Sequence, residues 1–246
     1  MSNNCKVALI TGAAKRIGAA CARLLHAHGY NLVLHYHSSG HEACQLAAQL
    51  NGLRPGSAEL VAADLLISAE VSGLAERALG LWGGLDVLVN NASLFYAGQV
   101  GEVVETDWDD LLAANLKAPF FLSQAVAPSL RQRRGCIINI VDIHAERGLL
   151  GFPVYSIAKA GLVAMTKCLA KELAPEVRVN AVAPGAILWP DNQLGGKQKA
   201  EILRKVALRR CGEVEDIAKA VGFLCDDAEY MTGQVLTVDG GRMLFS

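Results

Sequence analysis

Two side chains that could carry acid–base chemistry, Tyr155 and Lys159, lie four residues apart in a segment with helical periodicity. Residues at this spacing share one face of a helix. A free tyrosine has a pKa of about 10, and an adjacent ammonium lowers that pKa by favouring the phenolate. The pair could therefore donate or accept a proton in a reaction. A solvent-facing pair is the alternative explanation of this spacing taken alone.

A carboxylate, Asp142, precedes the tyrosine by thirteen residues and follows the apolar run 136–141. A carboxylate repels the negative charge that develops on a ketone oxygen during reduction, so it is a poor direct partner for that substrate. It suits a substrate that presents nitrogen and must receive protons, because an Asp–Tyr pair can relay a proton. The alternative is a catalytic position that has been lost.

The first apolar run leads into a turn of small residues, 11–18, and a helical pattern follows directly. Gly12 and Gly18 allow a tight turn and let the backbone approach a pyrophosphate closely. The free N–H groups around Ile17, at the helix N-terminus, would bind that pyrophosphate. The spacing is not GxGxxG, because Arg16 occupies the place of a middle glycine. A plain structural turn is the alternative to a dinucleotide site.

The end of the second apolar run favours NADPH over NADH. An acidic residue here would bind the ribose 2′-hydroxyl of NAD, but no acid occurs until Glu42. Imidazoles and hydroxyls, with Arg16 nearby, suit a 2′-phosphate, although each histidine could equally be an ordinary strand-end residue. The residues that we predict to bind the cofactor at this point are His35, Tyr36, His37, Ser38 and Ser39.

Further polar or small residues follow other predicted strands, at the edge where Rossmann-type ligands bind. Asp64 and Leu65 follow the third strand and could contact adenine. Asn91 and Ala92 follow the fourth strand and bring a short amide and a small residue to the same crevice.

Apolar β-type runs alternate with helical patterns along the whole chain, which argues for a parallel sheet built through right-handed crossovers. The predicted strands are 7–11, 31–36, 58–62, 87–90, 136–141, 177–182 and 234–238, and the main predicted helices are 17–28, 41–51, 70–82, 108–130, 154–174 and 213–225. We predict one doubly wound α/β Rossmann domain over residues 1–246. The least patterned segment, 188–209, is a candidate substrate loop or lid, with a plain surface insertion as the alternative.

Composition excludes several classes of partner. The formal net charge is −1 and only one short arginine cluster occurs, so a nucleic-acid surface is not indicated. The apolar runs are short and interrupted, which predicts no membrane span. Seven cysteines without a CxxC pair indicate reduced thiols, with neither a disulfide framework nor a metal site, and we expect a cytoplasmic protein.

Over nearly its whole length the chain resembles the short-chain dehydrogenases/reductases. The resemblance implies that Tyr155 delivers the proton, that Lys159 lowers the tyrosine pKa and binds the nicotinamide ribose, and that Asn115 holds a water linking Lys159 to solvent. It also implies hydride transfer from the nicotinamide and a homotetramer. The matching features are the turn 11–18, Asp64, Asn90-Asn91-Ala92, Asn115, Tyr155 with Lys159, Arg178-Val179-Asn180, Pro184-Gly185 and Val238-Asp239-Gly240-Gly241.

Within that family the pteridine reductases share the departures from the common pattern, including Arg16, the strand end 34–37, the segment 90–96 and Asp142. The resemblance implies that Phe95 stacks on a pterin, that Ser93 hydrogen-bonds its ring and that Arg16 contacts the pterin or the cofactor phosphate. Ser38 departs from the subgroup, which often has a basic residue there. Phe95 could instead belong to the core.

Two residues of the unpatterned segment, Leu188 and Trp189, are further candidates for the substrate pocket, although Trp189 could equally anchor the lid. The leading hypothesis is NADPH-dependent reduction of a dihydropterin or dihydrofolate through Tyr155, Lys159 and Asp142. The alternatives are a carbonyl reductase, such as a 3-oxoacyl thioester reductase, and a catalytically silent NADPH-binding protein.

Overall fold

The sheet that the apolar runs predict forms the centre of the molecule. The computed structural model describes residues 5–187 and 196–245, without the side chains of residues 196–199. Its strands are β1 (Val7–Ile10), β2 (Asn31–Tyr36), β3 (Ala58–Ala62), β4 (Val87–Asn90), β5 (Cys136–Ile140), β6 (Arg178–Pro184) and β7 (Val235–Val238). Every residue of β1, β4 and β5 is buried, as expected for strands covered on both faces.

The seven strands are all parallel, in the order β3-β2-β1-β4-β5-β6-β7. The chain runs outward in one direction from β1 to β3 and then returns to place β4 on the other side of β1. Ligands of open α/β sheets bind at this reversal, outside the carboxyl ends of the strands. The predicted doubly wound Rossmann architecture is therefore confirmed, and it defines where a site should lie.

Helices cover both faces of the sheet and enclose two apolar cores. The helices are α1 (Arg16–Ala27), α2 (Gly40–Leu53), α3 (Ser68–Gly80), α4 (Glu105–Leu112), α5 (Ala118–Arg133), α6 (His144–Arg147), α7 (Pro153–Glu172), α8 (Gly196–Arg204) and α9 (Val214–Asp226). One core joins α1, α2 and α9 to one face, and the other joins α3, α5 and α7 to the opposite face. No helix in the described part of the chain is long and apolar enough to cross a membrane.

Two predicted elements differ from the structure. The single helix predicted over 108–130 is divided by a π-helical turn, Ala113–Lys117, which separates α4 from α5. Apolar periodicity continues through this turn, so the pattern could not indicate the break. The unpatterned segment 188–209 contains α8, while residues 188–195 lie outside the described residues. Whether this segment acts as a substrate lid stays a prediction.

Candidate active site

A cleft of about 570 Å³ lies at the carboxyl ends of the strands, beside the reversal between β1 and β4. It brings together nearly all the predicted site residues; Asn115 lies in the adjoining buried layer, and Leu188 and Trp189 lie outside the described residues. The predicted residues that line the cleft are Gly12, Arg16, Ile17, Gly18, His35, Tyr36, His37, Ser38, Ser39, Asp64, Leu65, Asn91, Ala92, Ser93, Phe95, Asp142, Tyr155, Lys159, Pro184 and Gly185.

The turn between β1 and α1 has a shape that only small residues permit. Gly12 has a φ of +61°, and a Cβ added to Gly18 would lie 2.3 Å from the carbonyl oxygen of Gly12. Arg16 takes a left-handed φ of +51° at the position where the family pattern has a glycine. The side chain of Asn91 donates to the carbonyls of Thr11 and Gly12 and so fixes the turn to the end of β4. The backbone N–H groups in the first turn of α1 have no partner within the helix, so this turn is suited to bind a pyrophosphate.

Gly18→Ala should abolish detectable NADPH binding or weaken it at least 10-fold, because the new methyl group would displace the Gly12 carbonyl from the cradle. The measurement is the fluorescence of bound NADPH during titration. Gly73→Ala is the matched control, since Gly73 is also a helical glycine but has nothing within 4 Å of the added Cβ. The control should bind NADPH normally and unfold at a slightly higher temperature.

The predicted 2′-phosphate region contains polar and basic side chains around the end of β2. His37 Nε2 lies 3.8 Å from a carboxylate oxygen of Asp64, and Lys15 Nζ lies 2.7 Å from Glu42. Lys15 also lines the cleft, although it is not among the residues predicted from the sequence. Its position next to Arg16 was the one signal that could have indicated it. His35 differs from the other strand-end residues, because its side chain is 2% exposed and lies beneath the turn.

Tyr155 and Asp142 meet at the opposite end of the cleft. The Tyr155 hydroxyl donates to Oδ2 of Asp142 at 2.8 Å, and the backbone N–H of His144 donates to Oδ1 at 2.8 Å. The carboxylate thus accepts at both oxygens. One of these bonds holds Asp142 on the turn that follows β5, and the other holds the tyrosine hydroxyl at the cleft.

The pKa of Tyr155 is raised, first by burial and then by the Asp142 carboxylate. This corrects the expectation that Lys159 lowers it in this structure: the negative charge of Asp142 stands at the hydroxyl itself, whereas Lys159 Nζ lies 5.7 Å from the ring centroid. Lys159 is 2% exposed and donates to the carbonyl oxygen of Ile140 at 2.9 Å. Burial lowers the pKa of Lys159 to about 8, partly opposed by Asp142.

This lowered pKa gives a pH prediction. The Lys159 ammonium is present below pH 8 and is lost above it, so kcat/KM should fall as the pH rises through about 8. The same shift has the opposite effect on folding. The unfolded chain holds the lysine proton up to about pH 10.5, so the lysine contribution to the unfolding free energy rises between about 8 and 10.5. Rate and thermal stability measured across this range should therefore diverge; a flat rate profile would contradict the role of Lys159.

Asn115 lies in the π-helical turn and its side chain is fully engaged. Its amide nitrogen donates to the carbonyls of Leu94 and Leu111, and its oxygen accepts from the Ser93 hydroxyl at 2.6 Å. These bonds connect the segment after β4 to the helix layer behind the cleft. The implied water-holding role of Asn115 stays a prediction, and so does the implied contact between Ser93 and a substrate ring.

Phe95 lies at the mouth of the cleft and not in the core. It is 52% exposed, its ring is stacked on Phe152 with centroids 4.5 Å apart, and it forms an edge contact with Tyr155 at 4.8 Å. The core alternative for Phe95 is therefore wrong. Phe95 and Phe152 together form an aromatic wall of the site. Phe152 is not among the residues predicted from the sequence, and its position three residues before Tyr155 was the one signal that could have indicated it.

No group of three or more His, Cys, Asp or Glu side chains suited to a metal ion occurs among residues 5–187 and 196–245. No disulfide joins the cysteines in the described part of the chain.

Comparison with known proteins agrees with this geometry. A family model described as enoyl-(acyl carrier protein) reductase matches residues 12–242. The chain is 39% identical to pteridine reductase 1 of Leishmania tarentolae over 279 aligned positions, which cover 97% of this chain and 96% of that protein. It is 38% identical to 3-oxoacyl-[acyl-carrier-protein] reductase FabG of Staphylococcus epidermidis, covering 97% and 99% of the two chains.

Solved structures are equally similar. A blue fluorescent protein from a metagenomic library, in complex with NADPH, superposes with a TM-score of 0.91 at 38% identity and covers 96% of this chain and 97% of its own. A mutant short-chain dehydrogenase/reductase of Serratia marcescens gives a TM-score of 0.90 at 33% identity, with the same coverage. The chain belongs to the short-chain dehydrogenase/reductase family, which uses nicotinamide dinucleotides for oxidation and reduction.

Proposed function

We propose that this protein is an NADPH-dependent reductase of a pterin C=N bond, acting on a dihydropterin or dihydrofolate. The observation that carries the proposal is the 2.8 Å hydrogen bond from the Tyr155 hydroxyl to Asp142. A carboxylate at this position opposes the oxyanion of a reacting ketone. It favours a heterocycle whose ring nitrogens donate hydrogen bonds and take up protons.

The cofactor is NADPH. The turn 11–18 and the first turn of α1 would hold the pyrophosphate, and the polar end of β2, with Arg16 and Lys15, would hold the 2′-phosphate. The blue fluorescent protein that shares 38% of its sequence with this chain binds the same dinucleotide. When bound, NADPH supplies the hydride that reduces the ring carbon.

The side chains of this chain supply the proton and the orientation. Tyr155, whose raised pKa keeps it protonated, donates to the ring nitrogen next to the reduced carbon. Asp142 holds the hydroxyl toward the cleft and, after the transfer, takes a proton from water and passes it to the Tyr155 oxygen. The Lys159 ammonium lies close to the tyrosine ring and donates to the Ile140 carbonyl. The ring of Phe95 offers a flat apolar surface on which a pterin can stack.

A 3-oxoacyl thioester reductase is the second candidate, because the staphylococcal relative of that name is 38% identical over 97% of this chain. Tyr155 and Lys159 would serve a ketone equally well. Asp142 is the residue that argues against it, since its charge lies where the reacting oxygen would become negative.

The test measures NADPH oxidation with 7,8-dihydrobiopterin, dihydrofolate or an acetoacetyl thioester at matched concentrations. Turnover of a pterin or folate, with little or none of the thioester, is expected. Turnover of the thioester alone would refute the proposal and support the second candidate. NADPH binding without turnover of any substrate would support the silent binding protein.

Phe95→Leu should raise the pterin KM about 10-fold while leaving the KM for NADPH near that of the wild type, because base-type stacking on an aromatic ring is worth about 1–3 kcal/mol. Phe95→Tyr keeps the ring and is the conservative control, which should retain a near-normal pterin KM. Steady-state kinetics on all three proteins make the comparison. An unchanged pterin KM in Phe95→Leu would remove Phe95 from the substrate site.

A homotetramer and a cytoplasmic location are further parts of the proposal. The first rests on the family resemblance, and the second on the seven cysteines, whose pattern indicates reduced thiols. Sedimentation analysis of the purified protein tests the first. A mass of one subunit would refute it.

A further inference from the structure

His35 is the buried titratable residue of the cleft for which the proposed chemistry gives no role. Its side chain is 2% exposed and lies between the glycine turn and the segment that follows β3. The backbone N–H of Gly12 donates to His35 Nδ1 at 3.0 Å, and Nε2 lies 3.0 Å from the carbonyl oxygen of Ala63. The backbone carbonyl of His35 also accepts from the N–H of Ala13 at 2.8 Å.

These contacts define the charge state of the ring. Because Nδ1 accepts a hydrogen bond, it carries no proton, and because Nε2 faces a carbonyl oxygen, it is the donor. Only the neutral Nε2-protonated tautomer satisfies both neighbours. A second proton on Nδ1 would place one donor against another, the Gly12 N–H, and this hydrogen bond would be lost.

We propose that His35 is a positioning residue that holds the Gly12–Ala13 turn in its phosphate-binding shape, and that its protonation releases the turn and weakens cofactor binding in acid. One residue fixes two consecutive amides of the turn and ties them to the segment bearing Asp64. This role beneath the turn is separate from the predicted direct contact between His35 and the cofactor, which stays a prediction. The inference concerns the dinucleotide and does not depend on the pterin as substrate.

The surroundings of His35 favour its neutral form, which is the form that holds the Gly12–Ala13 turn. Burial lowers the pKa of His35, and the neighbouring His37 lowers it further, while the Ala63 carbonyl opposes both. The charged groups on the adjoining segments are Lys15 and Arg16 on the turn and Asp64 after β3. A histidine with a lowered folded pKa contributes stability above its unfolded value of 6.5, and this contribution is lost as the pH falls through the folded value.

The experiment measures NADPH and NADH dissociation constants by nucleotide fluorescence between pH 5 and 8 for the wild type, His35→Gln, His35→Phe and His37→Gln. NADH has no 2′-phosphate, so its curve excludes the titration of that group. For both nucleotides, the His35 variants should bind about 10-fold more weakly at pH 7.5, because the Gly12 N–H loses the acceptor that fixes the turn. Their NADH affinity should no longer depend on pH, whereas the wild type and His37→Gln should lose affinity on acidification.

Thermal unfolding of each variant, without nucleotide, separates positioning from general stability. If His35→Gln and His35→Phe unfold at lower temperature but bind both nucleotides as the wild type does, His35 is only structural and the proposal is wrong. Acid-dependent NADH binding that persists in both His35 variants would also overturn it.

Discussion

Tyr155→Phe lowers kcat about 100- to 10 000-fold and leaves the dissociation constant for NADPH within a few-fold of the wild-type value. The range is that of a positioned general acid. The substitution removes the hydroxyl that donates to Asp142 but keeps the ring against Phe95. Stopped-flow measurement of a single turnover, together with a fluorescence titration of NADPH, gives the two quantities separately.

Tyr96→Phe is the matched control for this prediction. The Tyr96 hydroxyl donates to the backbone carbonyl of Asp107 at 3.2 Å. Its side chain packs against the apolar cluster that contains Tyr155 and does not line the main cleft. Removing this hydroxyl should change kcat less than about threefold, since no proton transfer passes through it. If Tyr155→Phe kept most of its turnover, another group would have to be the proton donor.

The fold was accessible from sequence because each strand is a short apolar run between helical patterns. All seven predicted strands are present, with ends within two residues of the prediction. Parallel crossovers then leave little freedom in the topology. The π-helical turn Ala113–Lys117 was missed because inserting a wider turn changes the backbone hydrogen bonds without interrupting the apolar face.

Most residues of the site could be predicted from the sequence because they follow the ends of strands. In a parallel sheet these strand ends lie together at one edge. Side-chain direction was not accessible. His35 and His37 are both histidines near the end of β2, yet one is buried beneath the turn and the other is exposed. The direction of the Tyr155 pKa shift could not be predicted either. The i to i+4 spacing indicated Lys159 as the main neighbour of the tyrosine, whereas in the structure its hydroxyl contacts Asp142.

The choice of substrate depends on Asp142, and Asp142→Ser should change it. We expect kcat/KM for the pterin to fall about 100-fold, because the carboxylate that orients and reprotonates Tyr155 is lost. The Asp142 charge also raises the pKa of Tyr155, so its removal should lower that pKa and make the tyrosine a better proton donor to a ketone oxygen. Reduction of the acetoacetyl thioester should therefore increase. Parallel kinetics with the two substrates measure the change in preference.

Asp142→Asn and Asp64→Ser complete this test. Asp142→Asn keeps the size of the side chain and an oxygen for the His144 N–H, so a pterin rate as low as that of Asp142→Ser assigns the effect to the charge and not to the shape. Asp64→Ser removes a carboxylate from the other end of the same cleft and should alter the KM for NADPH without changing the substrate preference. Unchanged pterin kinetics in Asp142→Ser would mean that the carboxylate has no part in the reaction. The identity of the substrate would then have to be sought in the aromatic wall around Phe95.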